Sequence, residues 1–465
     1  HAHRRAFAGV SAAALAGIAI FFSPVSPDNL LRVSPLNDAR DGRIRFYDVG
    51  RSATVLMLER DGYFYLRTNG LPEASTDMLG SPPSMHSQRL LAALPVLARP
   101  QAQSMLIAGL GGGVVAENIP SSVRDIDIVE LEPKVIAANR AIADERNVDP
   151  LLDPRINIVI NDARNALRLS EKSYDIIVSQ PSHPWTAGAS HLYTHEYMQL
   201  ALSRLNPDGV FLQWINAQIV DDALLRSLAA TLTNVFPHVR AYHFQPNELL
   251  FLASAQPIEP EAELARHGEP LASLRDEYLE KGIGSLSDVF AALAWDTAGM
   301  RALAADAPLI TDNDNMMAMS SLQAFERQAL NYQHLKYLLQ RYGALFDADN
   351  DIHGRLRGAI DYVYISDQLL RMQAPDLVVA LSNALESKND DDAYLVAAKA
   401  SLFSGDRRQA DRFLLEYLER HPDDAQATYL LFADRRDAIV EENAPQAIRR
   451  YIPNLTPDAL AVLQS

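Results

Sequence analysis

The sequence contains no cysteine in 465 residues. That excludes disulfides and thiolate metal sites, and it leaves the redox compartment open. Positive charge is scarce as well: 42 Lys and Arg stand against 59 Asp and Glu, a net charge of −17. Binding along a phosphate backbone needs clustered Lys and Arg, so nucleic acid is not an expected partner. The acidic balance suits a cationic substrate about as well as simple solubility. One long apolar run stands out. Phe7 to Val25 is uncharged, rich in Ala and Gly, and just long enough to span a bilayer as a helix. It follows His1, His3, Arg4 and Arg5, so it also has the layout of a signal peptide. Read as a transmembrane helix within residues 1–30, it predicts a membrane-anchored protein whose other domains are cytoplasmic, with this helix the last of a membrane domain.

What is present divides into modules, because 465 residues exceed one ordinary core. From Arg43 to Gly70, IRFYDVG, SATVLMLER and GYFYLRTNG alternate apolar and polar residues between Gly/Asp turns, the pattern of a small antiparallel sheet. Ser84 to Leu97 has helical periodicity, and with it the β-domain spans 38–98. Over 99–256 strands alternate with helices: Met105–Ala108, Ile126–Leu131, Ile156–Ile160, Tyr174–Val178 and Val210–Trp214, the last after an Asn206-Pro207-Asp208-Gly209 turn. That alternation predicts an α/β fold with a parallel, doubly wound, Rossmann-like sheet of the methyltransferase type. A helical extension (257–345) and a helical region (346–465) follow. Tyr394 to Pro422 has the small-residue spacing of one tetratricopeptide-type helix pair, so the tail reads as TPR-like or as plain helix.

The chain's organising stretch is Ser104 to Glu132. A buried strand runs into a glycine turn (Gly109, Gly111, Gly112, Gly113), then a helix, then a second strand with Glu130 near its end. Glycines let a turn pass close to a ligand, and an acid at the next strand's end can accept hydrogen bonds from ribose hydroxyls. Ligands of such sheets sit beyond the carboxyl ends of the strands, where Asp162 and Gln180 also fall. A nucleoside-type ligand is the expectation.

By these stretches in this order the chain resembles the spermidine synthase (aminopropyltransferase) family: TNGLPEAST, SMHSQRLLAALPVL, GLGGGVV, VELEPKVI, NDARNAL, YDIIVSQPSHPWTAGASHLYTHEYM and NPDGVFLQW. Its closer likeness is to bacterial proteins in which a membrane domain precedes a spermidine synthase-like domain. The resemblance covers about Arg43 to Ala318. It implies decarboxylated S-adenosylmethionine (or S-adenosylmethionine) as co-substrate, with no tightly bound cofactor and no metal, and a small cationic amine such as putrescine as acceptor. It implies Gly109, Gly111, Gly112 and Gly113 beneath the nucleoside, Glu130 on the ribose, and Asp162 with Ala163 at the adenine. Glu73, His86, Trp185 and Tyr193 are the substrate-side candidates. A homodimer and a protein bound by the C-terminal helices are further partners to consider.

Two departures weigh on the reaction. Where the family carries its acid after the strand matching YDIIV, this chain has Gln180, which accepts a hydrogen bond but takes no proton. The acid within the family's glycine turn is replaced by Gly111. Two other readings therefore stand beside aminopropyl transfer: a non-catalytic nucleoside-binding scaffold, and an S-adenosylmethionine-dependent methyltransferase on the same fold. Simpler roles also compete residue by residue. Glu73 and Asp77 read equally as loop acids, Tyr193 and Tyr197 as a core-facing pair, and Trp185 as packing on the sheet. Thr311-Asp312-Asn313-Asp314 lacks the regular ligand spacing of a calcium loop.

Overall fold

The computed structural model describes residues 42–82, 87–186, 188–267, 275–356, 358–433 and 450–456. The apolar run at Phe7–Val25 and His86 lie outside them. Among the described residues, no helix is long and apolar enough to cross a membrane. The chain forms two compact units. One gathers the residues up to 82, Leu110–Glu117 and Glu130–Pro154; the other gathers 87–109, Asn118–Val129 and the described residues from Arg155 onward.

The first unit is built on a four-stranded antiparallel meander, β1 (Arg43–Val49), β2 (Thr54–Arg60), β3 (Tyr63–Thr68) and β4 (Leu71–Asp77), in sheet order β1-β2-β3-β4. Two hairpins follow from two dipeptides. Asp61-Gly62 and Asn69-Gly70 all take positive φ (52°, 85°, 50° and 84°), the backbone of the two-residue turns that match strand twist. Val55, Leu56, Met57, Leu58, Phe64 and Leu66 are buried and form its core. Helix Pro133–Arg140 packs on β1 and β2. Glu132 caps that helix by accepting from the Lys134 N–H at 3.0 Å, and takes the Ser52 N–H and hydroxyl at 2.7 and 2.8 Å.

The second unit holds an eight-stranded sheet. Its strands are β5 (Ser104–Ala108), β6 (Asp125–Glu130), β7 (Ile156–Ile160), β8 (Tyr174–Ser179), β9 (Leu205–Asn216), β10 (His238–Gln245), β11 (Glu248–Ser254) and β12 (Leu293–Trp295), in order β12-β10-β11-β9-β8-β5-β6-β7. β5 pairs in parallel with β6 and β8, and β8 with β9. The expected wholly parallel sheet is corrected on one side, where β9, β11, β10 and β12 pair antiparallel. Only Pro246 and Asn247 link β10 to β11, far too short a connection for a parallel crossover. The Asn206–Gly209 turn is likewise absorbed into β9 as an irregularity, with Tyr174 opposite Leu205 and Ile176 opposite Val210.

Beyond the sheet the chain is helical as expected. Tyr362–Arg371, Pro375–Ser387, Asp392–Phe403, Arg407–Arg420 and Ala425–Phe432 follow one another through short links, each packing on its neighbour. Leu395, Ala398, Leu414, Leu418, Leu431 and Phe432 fill the core of the last turns of this array.

The costliest buried charge in the sheet is on β10. Arg240 donates to Glu261 at 3.0 Å, and the Tyr242 hydroxyl donates to the other Glu261 oxygen at 2.8 Å, all three side chains being buried. Removing one partner of a buried pair strands the other charge. Glu261→Ala is expected to destabilise the second unit by about 3–5 kcal/mol, read as a lowered urea midpoint. A loss below about 1 kcal/mol would mean that the Arg240 charge is satisfied elsewhere.

Candidate active site

The glycine turn is held by the residue expected to serve its ligand. Glu130, at the end of β6, is buried, and its Oε2 accepts the Leu110 N–H at 2.9 Å while Oε1 accepts the Glu132 N–H at 2.9 Å. The Gly111 N–H adds a third bond. Burial pushes the Glu130 carboxyl up, the nearby Glu73 charge adds to that rise, and the three backbone donors oppose it. The carbonyls of the turn are gathered in turn. Asn139 donates to the Gly111 oxygen at 2.8 Å, and the Thr76 hydroxyl and Arg146 each donate to the Gly112 oxygen at 2.8 Å. Gly111 and Gly113 sit at φ 55° and 80°, and a Cβ on Gly112 would lie 2.6 Å from the Thr76 hydroxyl and 3.0 Å from the Ala74 Cβ. The helix expected after the turn is a single four-residue turn, Val114–Glu117. Glu73, on β4, accepts from the Thr68 hydroxyl.

In the second unit, Gln180 follows β8 directly. Its Nε2 donates to the Gly109 carbonyl at 2.7 Å, which leaves its Oε1 as an acceptor. A carboxylate in the same pose would face that carbonyl with like partial charge and no hydrogen to offer.

Beside Gln180, buried polar atoms accumulate: the Tyr193 hydroxyl and Gln213 Oε1 have no hydrogen-bond partner, and the Ser179 and Tyr197 hydroxyls have only each other. Ser179 and Gln213 are register neighbours on β8 and β9, so both side chains rise from one face of the sheet. Tyr197 packs on that face, edge-on to Phe211 at 6.1 Å, with its hydroxyl beside Ser179. Burial pushes the Tyr197 hydroxyl up to about 12 and Tyr193 higher still. Buried polar groups are normally paired, so unpaired ones beside Gln180 make this cluster a candidate contact for a polar ligand.

Asp162 lies near enough to this group for its charge to raise the Tyr197 pKa. Asp162 is exposed and caps helix Ala163–Leu169, accepting the Asn165 N–H at 2.8 Å, and Ala163 is buried in that helix's first turn. Trp185 stacks on His183 at 4.9 Å and tilts onto Phe325 at 6.4 Å. The turn at Thr194–Glu196 is fastened by a residue weighed only as a calcium ligand. Asp312 takes both Arg164 nitrogens (2.7 and 2.5 Å) and the Thr194 hydroxyl (2.9 Å), and its own N–H donates to Glu196 at 3.0 Å. Ser179, Gln213 and Asp312 were the residues that sequence reasoning missed. A glutamine inside the apolar run VFLQW was the available signal for one of them.

Comparison with known proteins bears out the resemblance. Residues 85–247 match the family profile of the spermine/spermidine synthase domain. The chain is 29% identical over 155 residues to the polyamine aminopropyltransferase of Moorella thermoacetica, covering 33% of this chain and 54% of that protein. With the polyamine aminopropyltransferase of Shigella boydii it shares 30% over 124 residues, 26% of this chain and 43% of the other. The chain thus spans about half the length of the curated relatives it matches. A solved spermidine synthase from Thermotoga maritima is similar at a TM-score of 0.41 and 22% identity, over 48% of this chain and 75% of that one.

The Asp312 anchor gives a prediction with a definite sign. The Arg164 guanidinium holds the Asp312 carboxyl down to about 2, below its ordinary 3.8. A depressed carboxyl contributes stability above its unfolded pKa and loses it as pH falls through its folded one. Asp312→Asn is expected to cost about 1–2 kcal/mol at neutral pH, a figure discounted for the partly exposed pair. In urea unfolding, the difference from wild type should vanish between about pH 4 and pH 2. A difference that persists unchanged to pH 2 would assign the cost to packing instead.

Proposed function

From a chain that carries a spermine/spermidine synthase domain, we propose an aminopropyltransferase-type enzyme that takes decarboxylated S-adenosylmethionine as donor and a small amine as acceptor. The donor is a dication, with a sulfonium and an ammonium and no carboxylate. Glu130 and Glu73, close enough for one to raise the other, favour such a ligand over the carboxylated S-adenosylmethionine. Each Glu130 oxygen keeps lone-pair capacity beyond its backbone bonds, which suits ribose hydroxyls.

The observation that carries the reading is the pose of Gln180. One of its two amide hydrogens is committed to Gly109, which fixes the amide and leaves its oxygen as an acceptor to offer an incoming amine. Gln213 Oε1 and the Ser179 and Tyr197 hydroxyls extend a set of neutral acceptors. In transfer, the amine lone pair forms the C–N bond as the C–S bond breaks, and sulfur leaves as a neutral thioether. The sulfonium is already an activated leaving group, so the protein has to align the reactants and keep the amine unprotonated. A free amine ionises near about 10 in water, and desolvation beside neutral groups lowers that value. Gln180 thus orients the nucleophile, and burial, in place of a carboxylate, removes its proton to solvent.

The test joins binding to turnover. Calorimetry should give at least about tenfold tighter binding of the decarboxylated donor than of S-adenosylmethionine, as like-charge contact with a carboxylate costs on the order of 1.4 kcal/mol or more. An amine panel should yield aminopropylated product with a rate that climbs through the alkaline range, since no enzyme carboxylate titrates in the acceptor site. Donor binding with no product from any amine, unaltered by Gln180→Asp, would instead make the chain a nucleoside-binding protein. Tighter binding of S-adenosylmethionine with methyl transfer would overturn both.

A further inference from the structure

A cavity in the second unit shares no residue with the group around Gln180. It measures about 190 Å3 and is lined by Ser87 and Leu90 at the start of helix Gln88–Ala98, by His243, Phe244 and Gln245 at the end of β10, and by Lys281. Asp288, Ala291 and Ala292 of helix Leu286–Ala292 and Gln368, Arg371 and Met372 from the C-terminal array complete it. The volume is small beside the roughly 300–1,000 Å3 of sites for drug-sized ligands.

Two of its polar groups are buried and lack partners. His243 is 4% exposed and its Nε2 has no hydrogen bond, and the Ser87 hydroxyl, 1% exposed, has none either. Ser87 occupies the N-cap of its helix without making the usual side-chain cap. The chemistry of His243 is fixed by its surroundings. Its ring bonds the Pro246 backbone, which as proline offers only a carbonyl, so Nδ1 carries the hydrogen. Burial holds the ring neutral, leaving Nε2 as a bare acceptor on a residue that lines the cavity. Only a donor satisfies it.

The charged lining has the opposite appetite. Lys281 is buried and donates one hydrogen to the Glu277 carbonyl at 2.8 Å, with two more to give. Arg371, exposed, adds a guanidinium. The acid in the lining is already committed: Asp288 Oδ1 accepts the Tyr364 hydroxyl at 2.5 Å, and Oδ2 accepts the Ser285 N–H and hydroxyl at 2.8 and 3.0 Å. Leu90, Ala291, Ala292 and Met372 supply the apolar remainder.

We propose that this cavity binds a compact hydroxy-carboxylate, whose hydroxyl donates to His243 Nε2 and whose carboxylate is taken by Lys281 and Arg371 with the Ser87 hydroxyl. Because Gln368, Arg371 and Met372 belong to the C-terminal array, such a ligand fastens that array to the sheet-bearing part of its own unit.

The experiment uses the full chain and three probes, L-lactate, D-glycerate and L-malate, with acetate and glycerol as controls that lack the hydroxyl or the charge. At least one hydroxy acid should raise the melting temperature saturably and slow hydrogen exchange over 362–372, and both controls should not. Lys281→Met should weaken that effect by about tenfold or more, the loss of one charge-assisted hydrogen bond. Should Lys281→Met fail to fold, Arg371→Gln and Ser87→Ala, at the exposed and uncapped positions, replace it with the same expectation. No response to any of the three acids, equal response to acetate, or a response unchanged in the variants overturns the proposal.

Discussion

The turn at Gly109–Gly113 depends on one buried carboxylate. Glu130 draws the N–H groups of Leu110, Gly111 and Glu132 onto its two oxygens. Burying a carboxylate is expensive, and those three bonds offset part of the cost. The consequence is chemical selectivity. In dinucleotide-binding folds the turn keeps its N–H groups free for a pyrophosphate. Here two of them are spent on Glu130, and the carboxylate itself sits where a phosphate would need positive potential. That arrangement accords with the cationic donor proposed above better than with a phosphorylated ligand. Arg146 does not reverse that balance, since its guanidinium is tied to Glu117 at 2.6 Å as well as to Gly112.

The acceptor side proposed above follows a different logic. Gln180 is locked by a bond that only an amide can make in that pose, so its identity is built into the turn and not a vacancy where an acid once stood. Around it the polar atoms of Ser179, Tyr197 and Gln213 are all uncharged, and the surrounding burial penalises an ammonium. An anionic site binds the protonated amine tightly and then must remove the proton. A neutral site binds it more weakly but presents it already deprotonated. The two designs divide the same work differently between affinity and reactivity.

Much of this was legible in the sequence, and the failures have physical causes. The meander could be read because Asp-Gly and Asn-Gly specify two-residue hairpins, and the central strands because their apolar runs alternate with helical periodicity. The antiparallel β10–β12 were not, since HVRAYHF and ELLFLAS carry strand propensity but no statement of direction. Asp162 reads as a ligand contact at a strand end, and the same aspartate three residues before Asn165 is also an N-cap. Local sequence does not choose between those roles, and in the fold the cap is made. Asp312 was the hardest case: its partners Arg164 and Thr194 lie far away in the chain, and no spacing rule connects them.

The acids also show why a net charge of −17 says little about the ligand. Asp162 is committed to a helix cap, Asp312 to Arg164, Glu132 to Ser52 and its own helix, and Glu261 to Arg240. Asp312 and Glu261 are paired with arginines, Asp162 and Glu132 are held by neutral donors, and salt screens what remains of their fields. For the donor proposed above, the local contribution is the Glu130 and Glu73 pair, where burial strengthens the interaction that bulk water would screen. In that proposal a preference for a dication rests on two side chains and not on the net charge of the chain.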